Sequence, residues 1–531
     1  MRPTQIFRIW VLALVLLAVA GAQAAGPWYV ATNGADSNAG TSWAVPYLTI
    51  SNALFNASAS PSASNDTIWV SNGTYVITAT VSNPAAKRCL IRAWSTNPVD
   101  TVLLGHGSNP APDNLNFRGV WMSGAGSLLQ GFTVTNFYYT NENTGAGVYC
   151  SAGLVSNCVI TGNLMGWTAG GADGVAAYIT AYGGGVYLLG AGVLENCDII
   201  GNSIYPANYC NGGGGVFMSH SGRIRNCRIV GNRVSGSTCG GGVMGGYLAD
   251  FIIQDSVIAS NTAGSRGAGG IELAGGVISN CLVFENRSTT QGGINISAIS
   301  GYEASIRIER CVISNNVGSW SGGGIVVNNS TNVLISQCTI VSNYCNTTGA
   351  GGLYMQKPSS NIRIRNCLVA NNRARFESWG WGGGGGAGMN VAGANALIEN
   401  CTIVSNTLVG GSGAGLYATN AVRVVNSIIY HNSGVTMSNF YDAAGNCTSS
   451  NSCIAPLPSL GTANTSANPL FVSKDTGNFR LNNNSPCINT GMNYEWMTGA
   501  VDLDGRKRIR YGTVDMGAYE RIHSGTTYGF R

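Results

Sequence analysis

Asn157-Cys-Val-Ile-Thr-Gly-Asn163 is one copy of a motif that the chain carries ten times. Its equivalents start at Asn196, Asn226, Asp255, Asn280, Arg310, Gln337, Asn366, Asn400 and Asn426, with successive copies 25 to 39 residues apart. The shared form is Asn-Cys-x-Ile/Val-x-x-Asn, with Ser in place of Cys at 256 and 427. The final Asn never fails: Asn163, Asn202, Asn232, Asn261, Asn286, Asn316, Asn343, Asn372, Asn406 and Asn432. Gly131 to Asn136 is a degenerate earlier copy. Self-similarity at this period is the mark of a repeat architecture, in which each unit is one supersecondary element.

A second element lies between the copies, as in Gly183-Gly-Gly-Val-Tyr187, Gly213-Gly-Gly-Val-Phe217, Gly322-Gly-Gly-Ile-Val326 and Gly351-Gly-Leu-Tyr354. Apolar residues alternate after the glycines, which reads as a strand with one face buried. A third short strand precedes each Asn-Cys, for example Arg223-Ile-Arg225. If Ile224 points inward, Cys227 and Ile229 do so only when parity changes at the intervening Asn, and Asn tolerates the left-handed conformation that such a bend needs. Each unit is therefore expected to be three short strands, a bend, a tight turn and a loop. One unit cannot bury its apolar face alone. Stacking predicts an all-β right-handed parallel β-helix (a solenoid) of about ten or more coils with N- and C-terminal caps. Leucine-rich repeats, propeller blades and calcium-loaded nonapeptides fit the pattern worse.

Composition narrows the class further. The chain has 531 residues, 76 of them Gly; charged residues are only 10%, hydrophobic residues 44%, and the net charge is +5. Disorder is excluded by the apolar content, and collagen by the lack of a three-residue glycine period. No cluster of cations is visible along the chain, so no nucleic-acid partner is expected. Arg2 and Arg8, the apolar run Ile9 to Ala20 and Ala22-Gln23-Ala24 read as a signal peptide cleaved near Ala24; the alternative, an uncleaved anchor, would need a longer run. No later segment is apolar enough to span a membrane, so the mature chain is expected to be secreted, extracellular or at the cell surface. The domain reading is 1–24 signal, 25–123 N-terminal cap and first coils, 124–435 repeats and 436–531 C-terminal cap. Eight of the 16 cysteines, Cys158, Cys197, Cys227, Cys281, Cys311, Cys338, Cys367 and Cys401, share the repeat position and read as stacked interior side chains. Among the others, Cys447 with Cys453 and Cys210 with Cys239 are disulfide candidates, with connectivity open.

The non-repeating ends carry Trp28 to Trp43, Thr49-Ile-Ser-Asn-Ala-Leu54, read as a short capping helix, and Asp66 to Tyr75, read as the first strand. The tail carries Asn468-Pro-Leu-Phe471, Gly477-Asn-Phe-Arg-Leu481, Ser485-Pro-Cys-Ile-Asn-Thr-Gly491, Asp502-Leu-Asp-Gly-Arg506 and Val514-Asp-Met-Gly-Ala-Tyr-Glu520. On these segments and the repeats the chain resembles exported bacterial β-helix proteins of the pectin-lyase-like superfamily. The tail resembles the choice-of-anchor Q module, and the repeats are similar to those of chlamydial polymorphic outer-membrane proteins, which are adhesins. The resemblance implies a fold; activities within that superfamily run from lyases, hydrolases and epimerases to adhesins without catalysis.

The candidate functional face is the outward column of the Gly-rich strand: Tyr187, Phe217, Met244, Glu272, Asn295, Val326, Tyr354, Asn390 and Tyr417. Its rings suit stacking on sugars and its amides supply neutral hydrogen bonds, although cross-coil stacking for stability explains the same residues. Tyr187, Phe217, Asn295, Tyr354, Asn390 and Tyr417 are the ligand-binding candidates, and the expected partner is an extracellular polysaccharide or surface glycan. For catalysis the column offers Glu272, with Arg266 as a nearby cation and Asp173, Asp250 and Asp255 as acids that loops could add; sugar hydrolysis needs a carboxylate pair. The alternatives are a polysaccharide lyase or glycoside hydrolase, and an adhesin that binds protein. No cofactor is expected: His106, His220, His431 and His523 have no metal-ligand spacing, and Asp502-Leu-Asp-Gly505 fits a turn better than a calcium loop. Oligomeric state is not legible.

Overall fold

The computed structural model describes residues 26–521 except 60–65, 84–87, 108–115, 141–143, 167–180, 206–211, 236–239, 247–250, 298–304, 357–358 and 377–384. The signal segment, Asp173, Asp250, Cys210, Cys239 and His523 lie outside the described residues.

The chain winds into a parallel β-helix with four sheets, of 16, 14, 13 and 10 strands. Matching residues of successive coils pair in register, as in Val155 with Leu194, Leu194 with Ile224 and Ile224 with Ile253. The parallel crossover between coils takes the right hand for the usual steric reason. Each coil runs from the Gly-rich strand (Val186–Leu188) to the strand before the cysteine (Val193–Glu195), then to the one after it (Asp198–Ile200). A fourth strand of only two residues follows, as in Ser203–Ile204. The expected unit had three strands; two residues are too few to show alternation, which is why the fourth left no periodic signal.

Both corners of that path are left-handed. The bend residue has φ of 50° at Asn157, 53° at Asn196, 50° at Asn226 and 52° at Asp255, and the residue before the invariant Asn is Gly162, Gly201, Gly231 or a non-glycine such as Ser260, also at positive φ. The predicted parity change follows: Ile224, Cys227 and Ile229 are all buried.

The invariant Asn side chains form a continuous buried ladder. Asn316 Nδ2 donates to Asn343 Oδ1 (3.0 Å) and to the Val283 carbonyl (2.9 Å), while its Oδ1 accepts from the Asn286 backbone N–H and Nδ2, both at 3.0 Å. The same set repeats through Asn432, so all these buried amide groups are satisfied. The ladder also explains the glycines: a Cβ on Gly185 would sit 2.9 Å from Asn202 Nδ2 and 2.8 Å from the Gly215 carbonyl, and Gly293 stands likewise against Asn316.

The eight repeat cysteines line the interior as buried free thiols. Cys197 Sγ donates to the Glu195 carbonyl at 3.1 Å. Ser256 fits the same column because its hydroxyl accepts from Cys227 N–H (3.1 Å) and donates to the Gln254 carbonyl (2.7 Å). Burial pushes the thiols of Cys197, Cys338 and Cys367 well up, whereas hydrogen bonds from the neighbouring Cys281 and Cys338 thiols hold Cys311 below the usual range; the whole column is sealed from solvent and serves as packing. Cys447 and Cys453 are free and apart: Cys447 Sγ meets the Asn420 carbonyl (3.3 Å), Cys453 Sγ the Ala467 carbonyl (3.1 Å), and Cys453 packs in a cluster with Cys487.

The helix Ile50–Ala59 closes the N-terminal end by burying Ile50, Ala53, Leu54 and Ala57, a helical stripe, and Thr49 Oγ1 caps it by accepting from Asn52 N–H at 3.1 Å. The first strand is Trp28–Val30, earlier than the expected Asp66 to Tyr75, which divides into Asp66–Val70 and Gly73–Val76. At the other end stacking continues past the last sequence repeat through Phe440–Asp442, Thr448–Ser450 and Cys453–Ile454. The tail then folds back on the outside of the last coils: Phe479 packs with Leu368, Ala370 and Val404, and Leu481, Cys487 and Met516 with Ile428. It is hydrogen-bonded to the bend column, where Gln337 and Asn366 donate to the Val501 carbonyl and Asn426 to that of Met492. Among the described residues no helix is long and apolar enough to cross a membrane.

Candidate functional site

The outward column of the Gly-rich sheet is stacked in the expected register, from Tyr187 beside Phe217 to Asn390 beside Tyr417. It extends beyond the expected residues at both ends, to Trp121 and Tyr149 before Tyr187 and to Tyr441 after Tyr417. Gly119-Val-Trp121 and Gly147-Val-Tyr149 carry the same Gly-Val-aromatic signal as Gly185-Val-Tyr187, so these rings were legible in the sequence.

Exposure along the column is uneven. Tyr187, Phe217, Asn295 and Asn390 are only 9%, 5%, 4% and 2% exposed, so the expectation of open ring faces does not hold for the middle of the column. Part of the cover comes from the loop that leads into Val186–Leu188: its Tyr182 ring lies 4.5 Å from that of Phe217 and 6.1 Å from that of Tyr187. Tyr354, Tyr417 and Tyr441 are half-buried, and Trp121 is 37% exposed. The rings stack on one another, Tyr149 on Tyr187 at 5.1 Å and 5° and Tyr417 on Tyr441 at 5.5 Å and 20°. Beneath the N-terminal end, the buried Arg118 guanidinium lies 5.3 Å from the Trp121 ring, 4.7 Å from Tyr139 and 5.0 Å from Tyr149.

Glu272 interrupts the rings. Its Oε2 accepts from Ala268 N–H (2.9 Å) and its Oε1 from Asn295 Nδ2 (3.4 Å), and burial pushes its pKa up to about 7. A carboxyl that titrates near neutrality is suited to proton transfer. The described residues give it no partner acid. Asp255 sits on the bend between two other sheets, where it accepts from Asn280 Nδ2 at 3.0 Å. Arg266 is exposed, at a left-handed φ of 70°, and forms no ion pair with Glu272 among the described residues. Among the described residues no group of three or more His, Cys, Asp or Glu could hold a metal ion. Asp502-Leu-Asp-Gly505 forms a turn: Asp502 Oδ1 accepts from Asp504 and Arg506 N–H (2.9 and 2.7 Å), and Oδ2 from Glu520 N–H (2.7 Å).

The raised pKa has a consequence for stability. Folded Glu272 holds its proton more tightly than the unfolded chain, so its contribution is complete below about pH 4.5 and is lost as pH rises through about 7. Glu272→Gln, which keeps an acceptor for Ala268 N–H, is expected to be more stable than the parent by about 2 kcal/mol at pH 8.5 and equal to it near pH 4. Urea midpoints at the two pH values check this; an unchanged difference between them would show that the charged form is not the source.

A family model described as the right handed beta helix region matches residues 292–485. Together with the parallel stack of sheets this makes the chain a right-handed parallel β-helix. No curated protein matches the chain. Among solved structures it is similar to the pectate lyase Pel9A, at 15% identity over 93% of this chain and 96% of that one, with a TM-score of 0.34. It is also similar to the catalytic domain of a GH87 alpha-1,3-glucanase in complex with nigerose (14% identity, 74% and 66%, TM-score 0.33). A third is a rhamnogalacturonan lyase (15% identity, 74% and 87%, TM-score 0.31).

Proposed function

We propose that the protein is exported and recognises an extracellular polysaccharide or cell-surface glycan through the outer face of the Gly-rich sheet. The observation that carries this reading is the in-register ring column that surfaces at Trp121 and at Tyr354, Tyr417 and Tyr441. Ring faces cover the apolar faces of sugars; the stacked, buried Tyr187 and Phe217 hold Tyr149 and, through it, Trp121 in place, and Tyr417 is backed by Tyr441. The resemblance of the tail to the choice-of-anchor Q module and of the repeats to those of polymorphic adhesins supports the same surface setting.

Purified protein on a glycan array is expected to retain at least one polysaccharide without turnover. Tyr354→Ala with Tyr417→Ala, and separately Trp121→Ala, should weaken retention about fivefold or more. Unchanged retention in all three substitutions would remove the column from the site. A second reading, sugar cleavage, is favoured by the near-neutral Glu272 alone. Its signature is new reducing ends, or absorbance from unsaturated uronides, abolished in Glu272→Gln.

A further inference from the structure

Cys453 is turned the other way from the cysteines of the interior column. It pairs in register with Ile428, while the next residue, Ile454, pairs with Ile429. Ile429 and Ile454 belong to the apolar core inside the coils, so the period of two directs Ile428 and Cys453 outward. There the tail covers them. Ile428, Cys453, Leu481, Cys487 and Met516 form one buried cluster on the outer face of the last coils, with Cys453 and Cys487 both fully buried. Across this seam the two thiols stand in hydrogen-bonding contact, and Cys453 Sγ also donates to the Ala467 carbonyl at 3.1 Å.

The tail holds Cys487 in place through its backbone. Its N–H donates to Ser485 Oγ at 3.2 Å, and its carbonyl accepts from Met516 N–H at 2.9 Å. Cys447, the partner that the sequence suggested for Cys453, is occupied elsewhere: its N–H donates to Asp442 Oδ2 at 2.8 Å and its Sγ to the Asn420 carbonyl at 3.3 Å. The interior thiols are held differently again. Each lies on a strand already paired with its neighbours and donates to the carbonyl two residues before it, as Cys367 does to Arg365 at 3.2 Å. Cys453 and Cys487 instead belong to two segments that touch only when the tail docks.

We infer that Cys453 and Cys487 are the two halves of a disulfide that fastens the tail to the last coils, which rests on the export proposed above because such a bond persists in an oxidising compartment. The co-reactant is an external disulfide, carried by a thiol–disulfide oxidoreductase or by oxidised glutathione. The tail needs the coils beneath it, so Cys487 is open to that reagent until it docks. Its thiolate attacks one sulfur of the external disulfide, which gives a mixed disulfide and releases the other half as a thiol. As the tail seats, Cys453 loses its proton and attacks the Cys487 sulfur, forming the Sγ–Sγ bond and expelling the second half as a thiol. The pair thus gives up two protons and two electrons, and the external disulfide takes both. The adjoining Cys487 thiol and burial push the Cys453 thiol well up, so the bond forms as the tail docks rather than afterwards.

The test uses the purified full chain, reduced and then incubated with oxidised glutathione in mild urea, which lets the tail open. Remaining thiols are alkylated, and tryptic fragments are weighed without reduction. The expected product joins fragment 424–474 to fragment 481–506. Cys447→Ser should leave it, whereas Cys453→Ser and Cys487→Ser should each abolish it. Proteolytic cleavage within 468–520 is expected to be at least about tenfold slower in the oxidised chain than in the reduced one. Cys453→Ser with Cys487→Ser should be cleaved at one rate with or without reductant, and circular dichroism of that variant checks that the coils are intact. Alkylation of both thiols, a link from Cys487 to any other cysteine, or cleavage indifferent to reductant in the parent chain would each overturn the proposal. Export is tested separately, by recovering the chain from the exported fraction of expressing cells with the link already present. A link that forms in the purified chain while that fraction lacks the protein would refute the export alone.

Discussion

Asn316→Ala is expected to destabilise the β-helix by about 3–5 kcal/mol. The amide makes four hydrogen bonds with every partner buried, and its removal strands the Asn286 backbone N–H, which has Asn316 Oδ1 as its acceptor. A void beside Gly293 adds to the loss. Asn196→Ala is the control. That residue lies on the exposed bend at φ of 53°, so the expected loss is the left-handed penalty of about 1–2 kcal/mol. Urea unfolding followed by far-ultraviolet circular dichroism compares them. Equal losses would mean that the amide ladder contributes no more than a bend residue.

The second large effect is expected in the tail. Arg508 is fully buried, its Nη2 3.0 Å from Glu520 Oε1 and donating to the Asp515 carbonyl at 3.1 Å, with Asp502, Asp515 and Glu520 buried around it. Arg508→Met leaves these acids without their buried cation and should cost about 3–5 kcal/mol of docking. Because the tail rests on Leu368, Val404 and Ile428, the expected readout is early proteolytic cleavage within 468–520 while the coils stay intact. Adding Glu520→Leu should recover part of the loss, since a neutral pair of similar volume avoids the desolvation. The parent protein should show the same weakness through pH. Burial, with Asp515 and Asp502 adding to it, raises the Glu520 pKa to about 8 against the opposing pull of Arg508. Its stabilising share is therefore complete below about pH 4.5 and lost as pH rises through about 8. Cleavage that is insensitive to both the substitution and pH would show that the apolar contacts alone hold the tail.

The coil, the two corners and the inward residues were legible in the sequence because every unit repeats the same physical demand. Ile224, Cys227 and Ile229 must all point into one core, and only a left-handed Asn226 between them permits it. The ladder role of the invariant Asn was not legible, nor was its hold on the glycines, because the repeat shows which residues recur and not which partners their side chains bond. Ring positions in the outward column follow from the repeat, and the loop between Asn163 and Gly183 is long enough to overhang them; which ring it lays on the column, Tyr182 on Phe217, was decided by the packing.

By itself, then, the sequence determined the winding and which residues face the core, since inward burial is imposed once per coil and shows as a repeat. Tertiary structure alone decided what the outside offers: the tail seated on the bend of the last coils, and the alignment of Arg223, Arg307, Arg363 and Arg423. Those outward residues are 56 to 84 positions apart in succession and come together only because stacked coils place them one above another. No periodicity marks them, because water accepts any outward side chain, and only the packing of distant segments determines which of them remain open to a ligand.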